Sequence, residues 1–226
     1  KIYRVSVGAL DLKDNIQDYI QTERKSLIKF GLDGLLFPQE TIIFADLEKQ
    51  KSYVSRLRTL DVEGGTVADN VSKSILEIID NEGNTYDAGL MFKKNENEDI
   101  TKWETAILEG IGKDKTLAKL NVYAPKVHGI QEERFCMEKL DHRSVDDYLA
   151  DTKVSEAEKE KVRNRIIGAT DHIERNIEKY VASKGIDVNK LESRLKKEID
   201  VKNVGKSHGQ AIKYLEDQNI FDVYLS

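Results

Sequence analysis

The strongest constraint on the fold is a short turn between two apolar segments near the middle of the chain. Residues 74–79 and 86–92 are mainly apolar, and the turn sequence Asp-Asn-Glu-Gly-Asn at 80–84 separates them. Asn and Gly tolerate the positive φ angles that tight turns between antiparallel strands require. The sequence therefore predicts a β-hairpin, extended to a three-strand meander by a segment that begins near residue 58 and precedes Gly64 and Gly65.

Helical and extended segments follow this meander. Residues 97–112 predict an amphipathic helix ended by Gly110 and Gly112, with one apolar face formed by Ile100, Trp103, Ile107, Leu108 and Ile111. We then expect strands at 123–129 and 134–138, a mainly helical part over 145–195, and a terminal strand at 219–225. The longest helix is expected to bury a stripe formed by Ile166, Ile167, Ala169 and Ile173.

The segment before the meander has a mixed pattern. Residues 2–7 alternate and predict a strand, and 13–30 have near-helical apolar spacing with Gly31 as the expected end. Residues 35–38 and 41–44 flank a turn and predict a hairpin or two short strands. This first part, to about residue 55, is α+β in character and indicates no specific chemistry.

Composition excludes several classes of protein. Hydrophobic residues make up 39% and charged residues 34% of the chain, which is typical of a globular protein, and no apolar run is long enough to cross a bilayer. The single cysteine, Cys136, excludes an internal disulfide, and the four histidines have no zinc-ligand spacing. A net charge of -5 argues against nucleic acid as a partner. We expect a cytosolic protein, or one delivered into a host cytosol.

The predicted order of strands and helices resembles that of a protein kinase, in which a small lobe of strands precedes a helical lobe. Gly64, Gly65 and Val71 lie where the glycine-rich phosphate loop of that family would be. Thr66 and Asp69 occupy the positions of its second and third glycines, so Asp69 would oppose the γ-phosphate unless it points outward.

Lys93 stands where the family has the lysine of its third strand. Alternation along the strand puts Met91 and Lys93 on one face, where the resemblance implies that Met91 caps the adenine site and Lys93 reaches the phosphates of ATP. Lys94 is the competing candidate. On the following helix, Glu104 is the expected carboxylate partner of the lysine, and Glu109 is the alternative.

The segment 124–149 carries the closest resemblance. Kinases of the eukaryotic-like type show a Pro-x-x-x-Gly pattern, an apolar strand that ends in Met-Glu-x-Leu, and a short helix, all of which have counterparts here. The resemblance implies that Met137 lies behind adenine and that Glu138, Lys139 and Leu140 form the hinge, whose backbone would bind the adenine edge. The alternative is an ordinary hairpin followed by a helix capped by Ser144.

The catalytic positions depart from the family pattern. His208 and Gln210 stand where the family has the histidine and the aspartate of its catalytic loop, and Leu215 replaces the asparagine that helps to hold magnesium. Glutamine positions a hydroxyl but cannot accept its proton. Further on, residues 220–226 resemble the strand that ends in the magnesium-binding aspartate, which makes Asp222 the expected Mg²⁺ ligand.

Taken together, the sequence predicts an α+β protein with a kinase-like small lobe. We expect an N-terminal α+β extension at 1–56, a lobe of five antiparallel strands and one helix at 57–140, and a reduced helical lobe at 141–226. The predicted function is ATP- and Mg²⁺-dependent transfer of the γ-phosphoryl group to a protein Ser or Thr hydroxyl or another acceptor. The alternatives are an inactive pseudokinase that docks a protein partner, and an unrelated α+β protein.

Overall fold

The computed structural model describes the greater part of the 226-residue chain. Its described backbone covers residues 2–4, 16–35, 41–46, 51–60, 72–95, 97–140, 143–182, 184–186, 211–215 and 220–224. Side chains are described within these ranges except at 2–4, 41–46, 51, 143–144, 146, 211–215 and 220–224.

Strands and helices both occur along these ranges, so the chain is an α+β protein, as the sequence predicted. The strands are β1 (Ile2–Arg4), β2 (Thr41–Asp46), β3 (Lys51–Leu60), β4 (Ser72–Asp80), β5 (Thr85–Lys94), β6 (Val122–Tyr123), β7 (Val127–Gln131), β8 (Arg134–Glu138), β9 (Arg143–Ser144), β10 (Ala211–Leu215) and β11 (Ile220–Tyr224). The helices are α1 (Ile16–Thr22), α2 (Arg24–Gly34), α3 (Glu98–Lys113), α4 (Lys115–Lys119), α5 (Val145–Ala150) and α6 (Glu156–Ala182).

Contacts divide the chain into two compact units. The first comprises Lys1–Thr101 and Val127–Lys139, and the second comprises Lys102–Lys126 and Leu140–Ser226. No helix in the described ranges is both long and apolar enough to cross a membrane.

The first unit is built on a seven-stranded sheet with the order β1-β2-β3-β4-β5-β8-β7. Only β1 and β2 pair in parallel, and every other neighbouring pair is antiparallel. The predicted hairpin of β4 and β5 is present, and Asp80 organises its turn by accepting hydrogen bonds from the backbone N–H groups of Glu82 and Asn84 at 2.9 and 2.8 Å. Five consecutive strands, β3-β4-β5-β8-β7, are antiparallel neighbours in this seven-stranded sheet. They agree with the five antiparallel strands predicted over 57–140, except that β3 begins at Lys51 and the sheet continues to β2 and β1.

Helices α1 and α2 cover one face of this sheet. Their apolar side chains, including Leu27 and Phe30, pack in one cluster with Leu76, Phe92 and Cys136 of the strands. All of these side chains are at most 5% exposed, so each contributes to the core of the unit. Gly31, expected to end the helix, lies inside α2, which continues to Gly34.

A buried arginine joins α2 to the hairpin of β7 and β8. The side chain of Arg134 is 1% exposed, and one of its terminal nitrogens donates to the carbonyl of Leu32 at 2.7 Å. Its other terminal nitrogen donates to the carboxylate of Glu132 at 3.0 Å. Carbonyls in the last turn of a helix have no backbone N–H partner within that helix. The Arg134 guanidinium supplies the missing hydrogen bond to one such carbonyl of α2.

The second unit has its own sheet and core. Its four strands follow the order β6-β11-β10-β9, with β6 parallel to β11 and the other pairs antiparallel. Helix α6 buries a stripe of side chains against α4, α5 and β6, and that stripe includes Ile166, Ala169 and Ile173, as predicted. Ile167 is only partly buried, because its position falls beside the stripe rather than on it.

The start of α6 is fixed by a reciprocal pair of side-chain bonds. The backbone N–H of Glu158 donates to the Ser155 hydroxyl at 3.3 Å, and the Glu158 carboxylate accepts from the backbone N–H of Ser155 at 3.1 Å. This capping box satisfies two backbone donors that a helix end otherwise leaves open.

Candidate functional site

The candidate site lies on the face of the first sheet that is opposite α1 and α2. Phe92 and Cys136 are paired across β5 and β8 and belong to the core beneath the helices. Successive side chains of a strand point to opposite faces, so Met91 and Lys93 lie on the other face. Lys94, the competing lysine, shares the face of Phe92 and lies 4.0 Å from the carboxylate of Glu133.

Two rows of residues cross this face. In one row, Ile75 on β4 pairs with Met91 on β5, and Met91 pairs with Met137 on β8. In the next row, Lys73 pairs with Lys93, and Lys93 pairs with Phe135. An apolar row bearing two methionines therefore lies beside a row bearing two ammonium groups.

The same face carries an ion-pair cluster on β3 and β4. The carboxylate of Glu77 accepts hydrogen bonds from Arg56 at 2.6 Å and from Arg58 at 2.7 Å. Burial raises the pKa of Glu77, but the hydrogen bonds from the two arginines outweigh that effect and leave the pKa below its ordinary value. Glu77 is therefore ionised at neutral pH, and the two guanidinium groups exceed its charge by one.

A β-bulge lies next to the predicted hinge. Glu77 pairs with Asp87, and Ile75 pairs with Met91. Between these two pairs, β5 contains two more residues than β4. Gly89 occupies the bulge with φ of 65°, a left-handed conformation that favours glycine. Its carbonyl accepts a hydrogen bond from the backbone N–H of Lys139 at 3.0 Å, and the Lys139 side chain pairs with Asp87. The bulge thus fixes the chain where it leaves β8.

Two of the other predicted residues lie in the second unit, on α3. Glu104 is partly buried there, while Glu109 forms ion pairs of 3.3 Å with both Lys113 and Lys184. Lys93 belongs to the first unit, so its pairing with either glutamate stays a prediction.

Several predicted site residues lie outside the described part of the chain. These are Gly64, Gly65, Val71, His208 and Gln210. Asp222 lies on β11, where the backbone but not the side chain is described. Leu140 follows β8 and is partly buried, Glu138 ends β8 and is exposed, and Met137 is 5% exposed. In the described ranges, no group of three or more His, Cys, Asp or Glu side chains could hold a metal ion.

The sequence analysis missed a polar network in the second unit. One oxygen of the Asp114 carboxylate accepts a hydrogen bond from the Tyr180 hydroxyl at 2.7 Å and lies 2.9 Å from Nε2 of His172. The other oxygen caps α4 by accepting from the backbone N–H groups of Thr116 and Leu117 at 2.7 and 3.2 Å. Aspartate followed by a short helical segment was the available signal, but its partners are distant in sequence.

This network changes the ionisation of its members. Burial raises the pKa of Asp114, but its hydrogen bonds with His172, Tyr180 and the α4 backbone outweigh burial and hold the pKa well below its ordinary value. The pKa of Tyr180 is raised, first by burial and then by the Asp114 carboxylate. A carboxylate with all these partners ties α4 to α6, and we assign it a structural role.

Comparison with models of protein families, with curated proteins and with solved structures finds no match to this chain.

Proposed function

We propose that this chain binds ATP on the face of its first sheet that carries Lys93, and that it transfers the γ-phosphoryl group to a protein hydroxyl or another acceptor. The observation that carries the proposal is the pair of adjacent rows on that face. One row carries Met91, which is partly buried, and Met137, which is 5% exposed, and the next row carries two lysine ammonium groups. ATP contains both a flat base, which suits the methionines, and an anionic polyphosphate, which suits the ammonium groups.

The apolar row suits the adenine base. Met91 and Met137 face each other across β5 and β8, and their unbranched thioether side chains adapt to a flat aromatic surface. Such pockets are typically lined by apolar side chains, with a few polar groups that fix orientation. The backbone that follows Met137 would supply those polar groups, and the bulge at Gly89 holds that backbone in place.

Lys93 suits the phosphates because it lies one row away from the methionines, on the same face. An ammonium group is a compact point charge that binds phosphate oxygens through charge-assisted hydrogen bonds. The kinase resemblance assigns the same role to this lysine, and it places the hinge at Glu138, Lys139 and Leu140. The boundary between the two units falls after Lys139, within that segment.

Phosphoryl transfer does not require a strong general base. Its transition state is loose, so catalysis comes mainly from positioning and from neutralisation of charge on the phosphates. Gln210 would then orient the acceptor hydroxyl without taking its proton. Magnesium would neutralise the phosphates when bound, and Asp222 is its expected ligand by resemblance alone.

A second candidate, a pseudokinase that binds a protein partner, is favoured by one specific observation. Gln210 stands at the position of the catalytic aspartate, so the residue that accepts the hydroxyl proton in active kinases is replaced. In that case ATP would stabilise the fold without being consumed.

Thermal unfolding in the presence of ATP and MgCl₂ tests the binding step. A ligand that binds only the folded protein at one hundred times its Kd adds about 2.7 kcal/mol of stability, which raises Tm by roughly 5–10 °C in a chain of this size. We expect Lys93→Ala to abolish the rise and Lys94→Ala, on the opposite face, to retain it. An unchanged rise in Lys93→Ala would contradict the assigned site.

Transfer of radiolabelled phosphate from ATP, to the chain itself or to a generic acceptor protein, separates the two candidates. Label in the wild type and none in Lys93→Ala supports the transferase. ATP binding without any label supports the pseudokinase.

A further inference from the structure

We propose that Arg56 and Arg58 together form a binding site for a terminal phosphate group, carried by a phosphorylated side chain or present as inorganic phosphate. Both arginines lie on β3, on the face of the first sheet that is opposite α1 and α2, and the Glu77 carboxylate of β4 holds them. This inference does not rest on the proposed function, which assigns no role to either arginine.

The Glu77 carboxylate orients both guanidinium groups. Arg56 is the register partner of Glu77, and Arg58 lies two residues further along β3, so the three side chains share one face. Oε2 of Glu77 accepts hydrogen bonds from Nε and Nη2 of Arg56 at 3.2 and 2.6 Å, and Oε1 accepts one from Nε of Arg58 at 2.7 Å. Because one carboxylate engages both arginines, their guanidinium groups are close neighbours.

The outer ends of the two arginines are accessible. Their side chains are 55% and 51% exposed, whereas that of Glu77 is 11% exposed. Ile75, the register partner of Arg58, is buried, so a ligand would meet the guanidinium groups and not the apolar strand residues. Within the described part of the chain, Nη1 of Arg56 and both terminal nitrogens of Arg58 make no hydrogen bond. These three nitrogens can donate to a ligand.

The number of these donors and their charge select the ligand. A phosphate monoester has three terminal oxygens and carries a charge of about -1.5 to -2 at pH 7. A carboxylate or a phosphodiester has only two such oxygens and a single negative charge. After pairing with Glu77 the cluster keeps one net positive charge, so it attracts the more highly charged anion more strongly. Arginine pairs recognise phosphorylated residues through charge-assisted hydrogen bonds of this kind.

An NMR titration of the full chain tests the assignment, because the Nε–Hε signals of arginine report each guanidinium group directly. The probes are a Gly-phosphoserine-Gly tripeptide, the same tripeptide with serine, inorganic phosphate, and a thymidine dinucleotide as the phosphodiester. We expect the phosphoserine peptide to shift the signals of Arg56 and Arg58 saturably, and the serine peptide and the dinucleotide to leave them unchanged. Inorganic phosphate that saturates at the same concentration as the phosphoserine peptide identifies the free ion as a sufficient ligand.

Substitutions give the size of the expected effect. Arg56→Gln and Arg58→Gln should each weaken the phosphoserine peptide about tenfold, because each removes one charged donor group. Arg58→Lys keeps the charge but loses the forked donors, so we expect a loss of about threefold or more. Arg175→Gln removes an exposed arginine of α6 in the second unit and should leave the affinity unchanged.

Three results would overturn the proposal. The first is a wild type whose Arg56 and Arg58 signals respond to neither phosphoserine nor inorganic phosphate. The second is a dinucleotide that binds as tightly as the phosphoserine peptide, since charge and oxygen number would then not select the ligand. The third is unchanged affinity in Arg58→Lys. This variant retains a cation beside Glu77, so it keeps the test decisive where Arg58→Gln loosens the sheet.

Discussion

Asp114 shows how one carboxylate can stabilise several elements at once. It accepts hydrogen bonds from the α4 backbone and from Tyr180, and it contacts His172, although its side chain is only 10% exposed. An ionised carboxylate tolerates such burial when its lone pairs are occupied by donors. The energy of this network depends on the charge of Asp114 and is therefore sensitive to pH.

The pH dependence of stability follows from the depressed pKa of Asp114. The group contributes its full stabilisation above its unfolded-state pKa, near 3.8, and loses it as the pH falls from there towards the lower folded-state pKa. We expect Asp114→Asn to lower the free energy of unfolding at pH 7 by about 1–3 kcal/mol and to flatten its decline below pH 4. Urea unfolding between pH 7 and pH 3 measures both effects.

Glu174→Gln is the control for this measurement, because it neutralises an exposed carboxylate on α6 and should leave the pH dependence intact. If the free energy of unfolding depended on pH in the same way in the wild type and in Asp114→Asn, the charge of Asp114 would not contribute to stability.

Side-chain alternation made part of the candidate site predictable from the sequence. Met91 and Lys93 are two residues apart on one strand, so their common face follows from local geometry. The pairing of Lys73 with Lys93 was not predicted because it depends on the register of β4 against β5. The network of Asp114 was missed for the same reason, since Tyr180 is 66 residues away in sequence.

At the scale of elements, α3 shows where a local rule fails. Two glycines predicted its end, yet the helix continues through Gly110 and Gly112 to Lys113. Gly110 is required by packing, since a Cβ there would lie 2.4 Å from the ring of Tyr180. Gly112 has open space around it. The prediction that these glycines end the helix was therefore wrong, and the glycine at Gly110 is explained by the close approach of α6.

The two glycines of α3 provide a matched pair of substitutions. We expect Gly110→Ala to destabilise the protein by about 1–3 kcal/mol, because the methyl group displaces the Tyr180 ring. In contrast, Gly112→Ala should stabilise it by about 0.5–1 kcal/mol, because alanine loses less backbone entropy in a helix. Denaturant unfolding of both variants measures these differences. A stabilised Gly110→Ala would show that α6 is not held against this turn of α3.

The strands also differ in whether they could be predicted from local sequence or depend on pairing with another segment. The hairpin of β4 and β5 was predicted because its turn sequence is contiguous. The expected strand at 123–129 is instead two short strands, β6 and β7, which belong to different sheets. Strand β10 was not predicted; it pairs with β11, which follows it closely in the chain, and with β9, which lies far earlier in the chain.

At the scale of the whole molecule, the buried apolar side chains that the structure describes form two clusters. One lies between α1, α2 and the seven-stranded sheet, and the other surrounds the buried stripe of α6. Among the side chains that are described, none belongs to both clusters. Substitutions in different cores therefore share no packing partner in these clusters.

We expect the effects of Ile78→Val and Ile166→Val to add. Each removes one methylene from a fully buried side chain and should cost about 0.5–1.5 kcal/mol. The double variant should equal the sum within about 0.5 kcal/mol, because sites without common packing partners behave independently. Chemical denaturation of the three variants provides the comparison. A larger discrepancy would show that packing in one core is transmitted to the other.

The single thiol gives this chain a built-in reporter. Cys136 lies on β8, the strand next to the edge strand β7, and has no exposed surface. Burial raises its pKa to about 12, so in the folded protein the sulfur is inaccessible to reagents and is not a thiolate. Alkylation at this sulfur must wait for the sheet to separate from α1 and α2. The rate of alkylation would therefore report the opening of the core between α1, α2 and the first sheet. It would not report the opening of the core around α6.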